Sequence, residues 1–249
     1  MTAAPSSSPL AIPRVIHQTC KDKQALPPEV QASIAHIRAL NPAWEHRLYD
    51  DEEVDAFVRT HYDADVFAVF KRINPRYGAA RADVFRYLLI HKLGGVYLDI
   101  KSSLTKPLDD VIQPTDRFLL AQWHNRLGEE HQGFGLHPDV AAIPGGEFQT
   151  WHVVAAPEHP FLAHAINRAL YNIRSYDATF HGTGLVGVLR TTGPLCYTLA
   201  IAPHLSKSPA RIIDTQETGF QYSIYPQSPF AHRALFEGHY AELTEPVVL

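Results

Sequence analysis

Residues 81–101 read RADVFRYLLIHKLGGVYLDIK, which is the clearest structural pattern in the 249-residue chain. Apolar residues at three- and four-residue spacing predict a helix that begins near Pro75 and ends at Gly94-Gly95. A strand over residues 96–100 is expected to follow at once, with alternate side chains on opposite faces. The apolar stripe of the helix consists of Ala80, Val84, Tyr87, Leu88 and His91.

Strands and helices alternate on both sides of this unit. Asp50 and Asp51 can cap a further helix, and an amphipathic helix is predicted over residues 160–173. This alternation predicts an α/β fold. No linker divides the chain, so we expect a flexible lead-in over residues 1–11 and one domain over residues 12–249. Other strands are predicted over residues 13–18, 44–49, 117–123 and 148–155.

The composition excludes several classes of protein. The chain has 22 Lys+Arg against 26 Asp+Glu, a net charge of -4, which gives no electrostatic footprint for nucleic acid or an anionic membrane. Its two cysteines form no CxxC pair, which favours a reducing compartment, so we predict a cytoplasmic protein. The longest uncharged stretch, residues 191–206, contains two prolines, so membrane contact is expected to be peripheral at most.

The polar residues of the predicted strand point to a ligand site. One face, with Val96, Leu98 and Ile100, is expected to enter the core. Tyr97, Asp99 and Lys101 share the other face. A carboxylate is costly to bury in an apolar strand, so Asp99 should lie near the strand's carboxyl end, where ligands bind in open α/β sheets. On the preceding helix, Asp83 and Arg86 are three residues apart and can face the same crevice. An ion pair within the helix is the alternative interpretation.

Four blocks of sequence carry a resemblance to a known family. RADVFRY at residues 81–87 and GGVYLD at residues 94–99 are similar to the signature of glycosyltransferase family 32, a sugar-binding region with a DxD motif. IPRVIHQT at residues 12–19, and NPAW at residues 41–44 with the acidic turn that follows, resemble that family's first two strands. The family includes fungal α-1,6-mannosyltransferases and bacterial enzymes of capsule and lipopolysaccharide synthesis.

The resemblance implies a GT-A fold, which is a single domain with a Rossmann-like mixed sheet flanked by helices. It implies a retaining enzyme that moves a sugar from a UDP- or GDP-sugar to a glycan or other acceptor. Asp83 and Arg86 would hold the sugar hydroxyls, and Asp99 would lie beside the ribose and pyrophosphate. The remaining donor-binding candidates are Tyr97 and, near the base, His17, Gln18 and Thr19.

The chain departs from the family at the second acid of the DxD motif, which is Lys101. In the family, both carboxylates hold a divalent cation, manganese or magnesium, that neutralises the departing diphosphate. Either Lys101 takes over that charge, or a metal persists on Asp99 with other oxygens or a histidine, and Ser102 and Ser103 are nearby candidates. The catalytic candidates are therefore Asp99, Lys101 and Arg86. A catalytically inactive protein that binds nucleotide-sugars or carbohydrates is the alternative.

Two weaker patterns remain. GTGLVG at residues 182–187 fits G-x-G-x-x-G, but the residues before it are polar rather than strand-like. We expect a loop that wraps the acceptor or donor there, rather than a dinucleotide site. Among the 15 histidines, His232 and His239 are minor candidates for a contact to the diphosphate. A sugar nucleotidyltransferase is ranked lower, because residues 13–23 lack the glycine-rich loop of that class.

Overall fold

The structure, a computed structural model, describes residues 10–225 and 240–249. The described strands are β1 (Val15–Thr19), β2 (Glu45–Tyr49), β3 (Gly95–Leu98), β4 (Ser103–Leu104), β5 (Phe118–Leu120), β6 (His152–Ala155), β7 (Arg211–Ile212) and β8 (Phe220–Gln221). The described helices are α1 (Pro28–Leu40), α2 (Asp51–His61), α3 (Ala64–Lys71), α4 (Gly78–Leu93), α5 (Pro160–Arg174), α6 (Ala178–His181), α7 (Gly184–Thr191), α8 (Pro194–Ile201) and α9 (Thr215–Thr218).

Six of the strands form one mixed sheet in the order β2-β1-β3-β6-β5-β7, and β4 pairs with β8 separately. β1 runs parallel to β2 and β3, whereas β6 is antiparallel to β3 and β5. The connection that leaves β1 passes over one face of the sheet through α1, and α2, α3 and α4 cover the other face before β3. The predicted α/β architecture, a mixed sheet flanked by helices, is confirmed.

Both faces of β3 are buried. Val96 and Leu98 pack with the cluster that includes Ile37 of α1, and Tyr97 packs on the opposite side with the cluster of α2 to α5. The prediction that only one face of this strand enters the core was therefore wrong, because helices cover both sides of the parallel strands. The strand is also shorter than predicted, since Ile100 lies in the turn that follows Asp99.

Helix α4 lies between the sheet and the helices that cover it. Every residue from Asp83 to Ile90 is buried, so the predicted apolar stripe is in fact a helix enclosed on all sides. The helix begins at Gly78 rather than Pro75, because residues 74–77 close a turn in which Tyr77 N donates to Asn74 O at 2.8 Å. Gly94, with φ +66°, ends the helix as predicted.

One segment, Gly184–His204, is long and apolar enough by composition to cross a membrane. It consists of α7, α8 and a short 3-10 helix, and Thr192 and Gly193 interrupt it between α7 and α8. Of its most apolar window, 61% is buried inside the fold. Val188 and Tyr197 belong to the same hydrophobic cluster as α4 and α5, so this segment forms part of the core in the structure.

Two histidines lie in the interior of the sheet. His17 of β1 and His152 of β6 flank β3 and are 0% and 2% exposed. Burial lowers the pKa of each to about 3, with a further contribution from Arg47 for His17 and from Arg86 for His152. Both imidazoles are therefore neutral in the folded protein at any pH above about 4.

Replacing Gly95 by alanine should destabilise the fold. Gly95 has φ +100°, and a Cβ there would lie 2.6 Å from the carbonyl oxygen of Val15 on β1. We expect Gly95→Ala to lower the free energy of unfolding by at least about 2 kcal/mol in denaturant titrations. Gly78→Ala is the matched control, because nothing lies within 4 Å of its Cβ. Equal stability of the two variants would contradict the close approach of β1 and β3.

Acid should destabilise the protein through its buried histidines. Their folded pKa is depressed below the unfolded value of 6.5, so the unfolded chain binds more protons as the pH falls. The free energy of unfolding should fall by about 1.4 kcal/mol per pH unit for each histidine between pH 6 and pH 4. Denaturant titrations of the wild type and His152→Gln isolate one histidine, and parallel pH profiles would contradict its burial as a neutral group.

Candidate active site

A cavity of about 360 Å³ opens at the carboxyl end of β3. This position is where the strand order reverses, since β2 and β3 lie on opposite sides of β1 and their connections pass over opposite faces. α4, the turn after β3, the loop between β5 and β6, and α7 form its walls. The lining residues include Ala79, Asp83, Arg86, Asp99, Lys101, Trp123, Phe134, His137, Glu147, Thr150, Trp151, Leu185, Val188, Leu189 and Tyr222.

Arg86 joins the predicted residues at the base of the cavity. Its Nη2 lies 3.0 Å from Asp99 Oδ1 and 3.4 Å from Asp83 Oδ1. Its Nη1 donates to the carbonyl oxygen of Thr150, and its Cζ lies 4.7 Å from the centroid of the Tyr97 ring. Asp83 and Arg86 therefore form an ion pair within the helix and also face the cavity at the end of β3.

The burial of this cluster is uneven. Asp83 and Arg86 are 5% and 4% exposed, whereas the Asp99 side chain is 22% exposed and faces the cavity. Burial raises the pKa of Asp83 to about 6, although the Arg86 guanidinium and a hydrogen bond from Thr192 Oγ1 act in the opposite direction. The pKa of Arg86 is raised by Asp99 first, against the effect of burial. Arg86 is charged at any working pH.

Lys101 lies beside this cluster on the cavity wall. Its Nζ donates to Tyr222 Oη at 2.8 Å and lies 4.0 Å from the centroid of the Tyr222 ring. Two residues after Tyr222, the backbone N–H of Ile224 donates to the carbonyl oxygen of Lys101 at 2.8 Å. The 222–224 segment thus fixes both the backbone and the ammonium of Lys101.

The residues predicted to lie near the nucleotide base do not line the cavity. His17 and Gln18 are completely buried in β1 and do not line the cavity. His17 contacts Tyr49 Oη and the Gly94 carbonyl, and Gln18 Nε2 donates to the Asp99 carbonyl at 3.2 Å. Thr19 is half-buried and its hydroxyl lies 3.0 Å from Tyr97 Oη, which places Tyr97 behind Arg86 rather than on the cavity wall. In this structure these residues position the site, and burial keeps His17 and Gln18 from a ligand in the cavity.

The described residues do not fit a divalent cation bound in the DxD manner. Three carboxylates line the cavity, but Asp83 and Asp99 are paired with Arg86, and Glu147 is held by Trp123. Within residues 10–225 and 240–249, no cluster of three His, Cys, Asp or Glu could hold a metal. Asp99 would contribute one carboxylate between two cationic side chains.

The suggested oxygen donors near Asp99 are turned away from the cavity. Ser102 is completely buried, and its hydroxyl donates to the carbonyl oxygen of Tyr222 at 2.9 Å. Ser103 is 4% exposed, and its hydroxyl accepts a hydrogen bond from Ser33 at 3.2 Å. Neither serine lines the cavity, so the expectation that they complete a metal site on Asp99 does not agree with the structure.

Glu147 lines the cavity and was not among the predicted residues. It is 5% exposed, and its Oε1 accepts a hydrogen bond from Trp123 Nε1 at 3.0 Å. Burial raises its pKa to about 7, against a lowering by that hydrogen bond. Glu147 precedes the predicted strand in an irregular loop, so periodicity gives no signal for it. The only sequence signal is the Gly145-Gly146 pair before it, which is typical of a tight turn.

Two further predictions concern the second half of the chain. The G-x-G-x-x-G string follows α6, not a strand, and its second glycine begins α7. Leu185, Val188 and Leu189 of α7 line the cavity, so the segment belongs to the cavity wall but as a helix rather than a wrapping loop. His232 and His239 lie outside the described residues.

The chain is similar to known glycosyltransferases in sequence and in fold. The sequence profile described as "Glycosyltransferase sugar-binding region containing DXD motif" matches residues 27–119, which contain Asp83, Arg86 and Asp99. The chain is 28% identical over 190 residues to inositol phosphoceramide mannosyltransferase 3 of Schizosaccharomyces pombe, covering 76% of this chain and 45% of the relative. It is 28% identical over 207 residues to the initiation-specific alpha-1,6-mannosyltransferase of the same yeast, covering 78% and 49%.

A solved structure with a similar fold is also a glycosyltransferase. The structure aligns with the PaToxG glycosyltransferase at a TM-score of 0.56 and 14% identity, over 78% of this chain and 70% of that one. This similarity supports a single-domain fold of the GT-A type. The chain spans 45%, 60% and 41% of the length of three fungal relatives that it matches. Residues 27–119, with the motif at residues 81–99, are thus similar to the sugar-binding region with a DXD motif, and the chain is similar in sequence to fungal mannosyltransferases.

Proposed function

We propose that this protein is a retaining glycosyltransferase that moves a sugar from a nucleotide-sugar donor to a hydroxyl acceptor. The observation that carries the proposal is the convergence of Asp83, Arg86 and Asp99 on one cavity at the carboxyl end of β3. In the reaction, the bond between the anomeric carbon and the phosphate oxygen breaks, and its electron pair stays on the diphosphate. The acceptor oxygen bonds to the anomeric carbon, and its proton leaves with the diphosphate.

Asp83 and Arg86 are proposed to orient the donor sugar. Arg86 is fixed by its contacts to Asp83, Asp99, Thr150 and Tyr97, so its guanidinium needs no reorganisation when a ligand enters. Asp83 is fixed by Arg86 and Thr192. Carboxylates and guanidinium groups that are held in place in this way give directional hydrogen bonds to sugar hydroxyls.

Lys101 is proposed to stabilise the leaving diphosphate. Its ammonium lies on the same wall as Asp99, at the position where the family carries a second acid for a metal. A positive charge held by Tyr222 attracts the negative charge that develops on the phosphate oxygen as the glycosidic bond breaks. Asp99 is proposed to lie beside the ribose and pyrophosphate and to keep Arg86 in place.

The sugar is proposed to be mannose, because the relatives include an inositol phosphoceramide mannosyltransferase and an initiation-specific alpha-1,6-mannosyltransferase. A UDP- or GDP-sugar is the proposed donor, and a glycan or the sugar-like headgroup of a lipid is the proposed acceptor. Both described cysteines are free, which agrees with the proposed cytoplasmic location. Contact with a membrane is proposed to be peripheral.

Removing the charge of Lys101 should slow donor turnover. We expect Lys101→Met to lower the rate of GDP-mannose hydrolysis by about 10²-fold or more, as for the loss of one preorganised charge. Asp99→Asn should lower it to a similar extent, because Arg86 loses a charged partner. Released GDP is measured, with UDP-glucose and UDP-galactose as further donors.

The matched control is Lys106→Met, because Lys106 is exposed and donates to the carbonyl oxygen of Glu217 outside the cavity. Thermal unfolding checks that every variant is folded. Equal turnover by the wild type and the Lys101 and Asp99 variants would exclude both residues from catalysis. Stabilisation of the wild type by a nucleotide-sugar without release of nucleotide would favour the binding-protein alternative.

Activity should survive a chelator. Because Asp83 and Asp99 are paired with Arg86 and the second acid of the motif is replaced by Lys101, we expect less than about a twofold change in donor turnover with 1 mM EDTA. Turnover is measured after dialysis against EDTA, then after addition of manganese or magnesium. Loss of activity with EDTA and its recovery with manganese would show that a bound metal ion, rather than Lys101, stabilises the leaving diphosphate.

A further inference from the structure

The loop between β5 and β6 is an ordered structure held by its own side chains. Gln122 Nε2 donates to the carbonyl oxygens of Pro144 and Gly146, both at 2.9 Å. Asn125 Nδ2 donates to those of Phe134 and Gly145 at 2.8 and 3.0 Å. Long loops without regular secondary structure are uncommon in compact domains and are typically functional when they are ordered. The wall of the cavity that this loop forms is therefore a candidate ligand surface.

Glu147 is placed in this wall with one oxygen unsatisfied. Its Oε1 is bound by Trp123, and its Oε2 is buried and has no hydrogen-bond partner among the described residues. His137 Nε2 lies 3.5 Å away, too far for a good hydrogen bond. A buried carboxylate oxygen without a donor is costly, and burial accordingly raises the pKa of Glu147 to about 7. A donor group from a ligand would remove this cost.

The backbone around Glu147 leaves little room for it to move. Gly135 has φ +71°, and a Cβ there would lie 2.7 Å from Glu147 Cγ and 2.7 Å from Trp123 Cδ1. Gly146 has φ +78°, and its Cβ would lie 2.4 Å from the carbonyl oxygen of Gly135. The two segments thus approach each other at glycines, with Glu147 and Trp123 packed between them. This close packing holds the carboxylate in a fixed position on the cavity wall.

The two walls of the cavity differ in charge. The wall from α4 and the turn after β3 carries two cations, Arg86 and Lys101, whose charges balance those of Asp83 and Asp99. The wall from the β5–β6 loop presents the Glu147 carboxylate and Trp123, with His137, whose pKa is lowered by burial. A carboxylate repels a diphosphate but accepts hydrogen bonds from hydroxyl groups, and an indole packs against the C–H face of a sugar. This wall suits a neutral ring that carries several hydroxyls.

We propose that Glu147 and Trp123 form the acceptor subsite, in which the Glu147 carboxylate accepts a hydrogen bond from a hydroxyl of a neutral polyol ring, either a hexose or an inositol. The proposal rests on the transferase function proposed above. Glu147 is a positioning residue for the acceptor, so its hydrogen bond contributes equally before and during transfer. Its loss should raise the acceptor KM and leave kcat little changed.

The test compares Glu147→Gln with the wild type in transfer from GDP-mannose to methyl α-mannoside and to myo-inositol. Glutamine keeps the oxygen that Trp123 binds but presents an amide N–H₂ in place of Oε2. We expect the acceptor KM to rise about tenfold or more, with kcat and acceptor-independent donor hydrolysis within about twofold. Glu130→Gln is the matched control, since its side chain lies in the same loop and is 61% exposed. The probe that the wild type prefers shows whether the acceptor ring is a hexose or an inositol.

A second measurement does not depend on turnover. The ring probes are titrated into GDP-saturated protein and followed by ligand-observed NMR, and Glu147→Gln should bind them about tenfold more weakly. If no donor is turned over but this loss is seen, the transferase proposal fails and the subsite stands. An unchanged acceptor KM and affinity in a folded Glu147→Gln would overturn the subsite. An equal fall in donor hydrolysis would also overturn it, because Glu147 would then serve the donor or the fold.

Discussion

The candidate site depends on one buried guanidinium. Arg86 is 4% exposed, and an unpaired charge at that depth would cost several kcal/mol. The positive charge is paired with Asp83 on the same helix and with Asp99 after β3, and a carbonyl oxygen of the β5–β6 loop accepts a hydrogen bond from it. Because these partners come from three segments, the charge of Arg86 fixes how α4, the end of β3 and the loop meet. The cavity lies where the three segments meet.

The fold around this charge could largely be predicted, because its signals are local. The end of α4 at Gly94 and the start of the next strand follow from two glycines that stop a helix, and in the structure β3 begins at the second of them, Gly95. The burial of Tyr97 could not be predicted in the same way. Alternation separates the two faces of a strand, but it does not show that helices cover both of them. That coverage is set by the order of strands in the sheet, which is a property of the whole chain.

The site was predictable to the extent that its residues lie on regular elements. Asp83, Arg86 and Asp99 meet because helical spacing and strand direction place them at one edge of the sheet. His17 lies on β1 directly beside β3, but its buried ring contacts Tyr49 Oη and the Gly94 carbonyl instead of the cavity. Glu147 was missed for the opposite reason. Its position follows from turns, side-chain amides and glycines at positive φ, and such contacts leave no periodic pattern in a sequence.

The replacement of an acid by Lys101 has an electrostatic logic in this cluster. With a second acid at that position, three carboxylates would surround one guanidinium, and the excess negative charge would suit a divalent cation. Changing that carboxylate to an ammonium adds as much positive charge as the cation would bring. Asp83 and Asp99 are then balanced by Arg86 and Lys101 within the protein itself. Under the proposed function, a diphosphate in this cavity would lie near cations carried by side chains, and the hydrogen bond to Tyr222 holds one of them, Lys101.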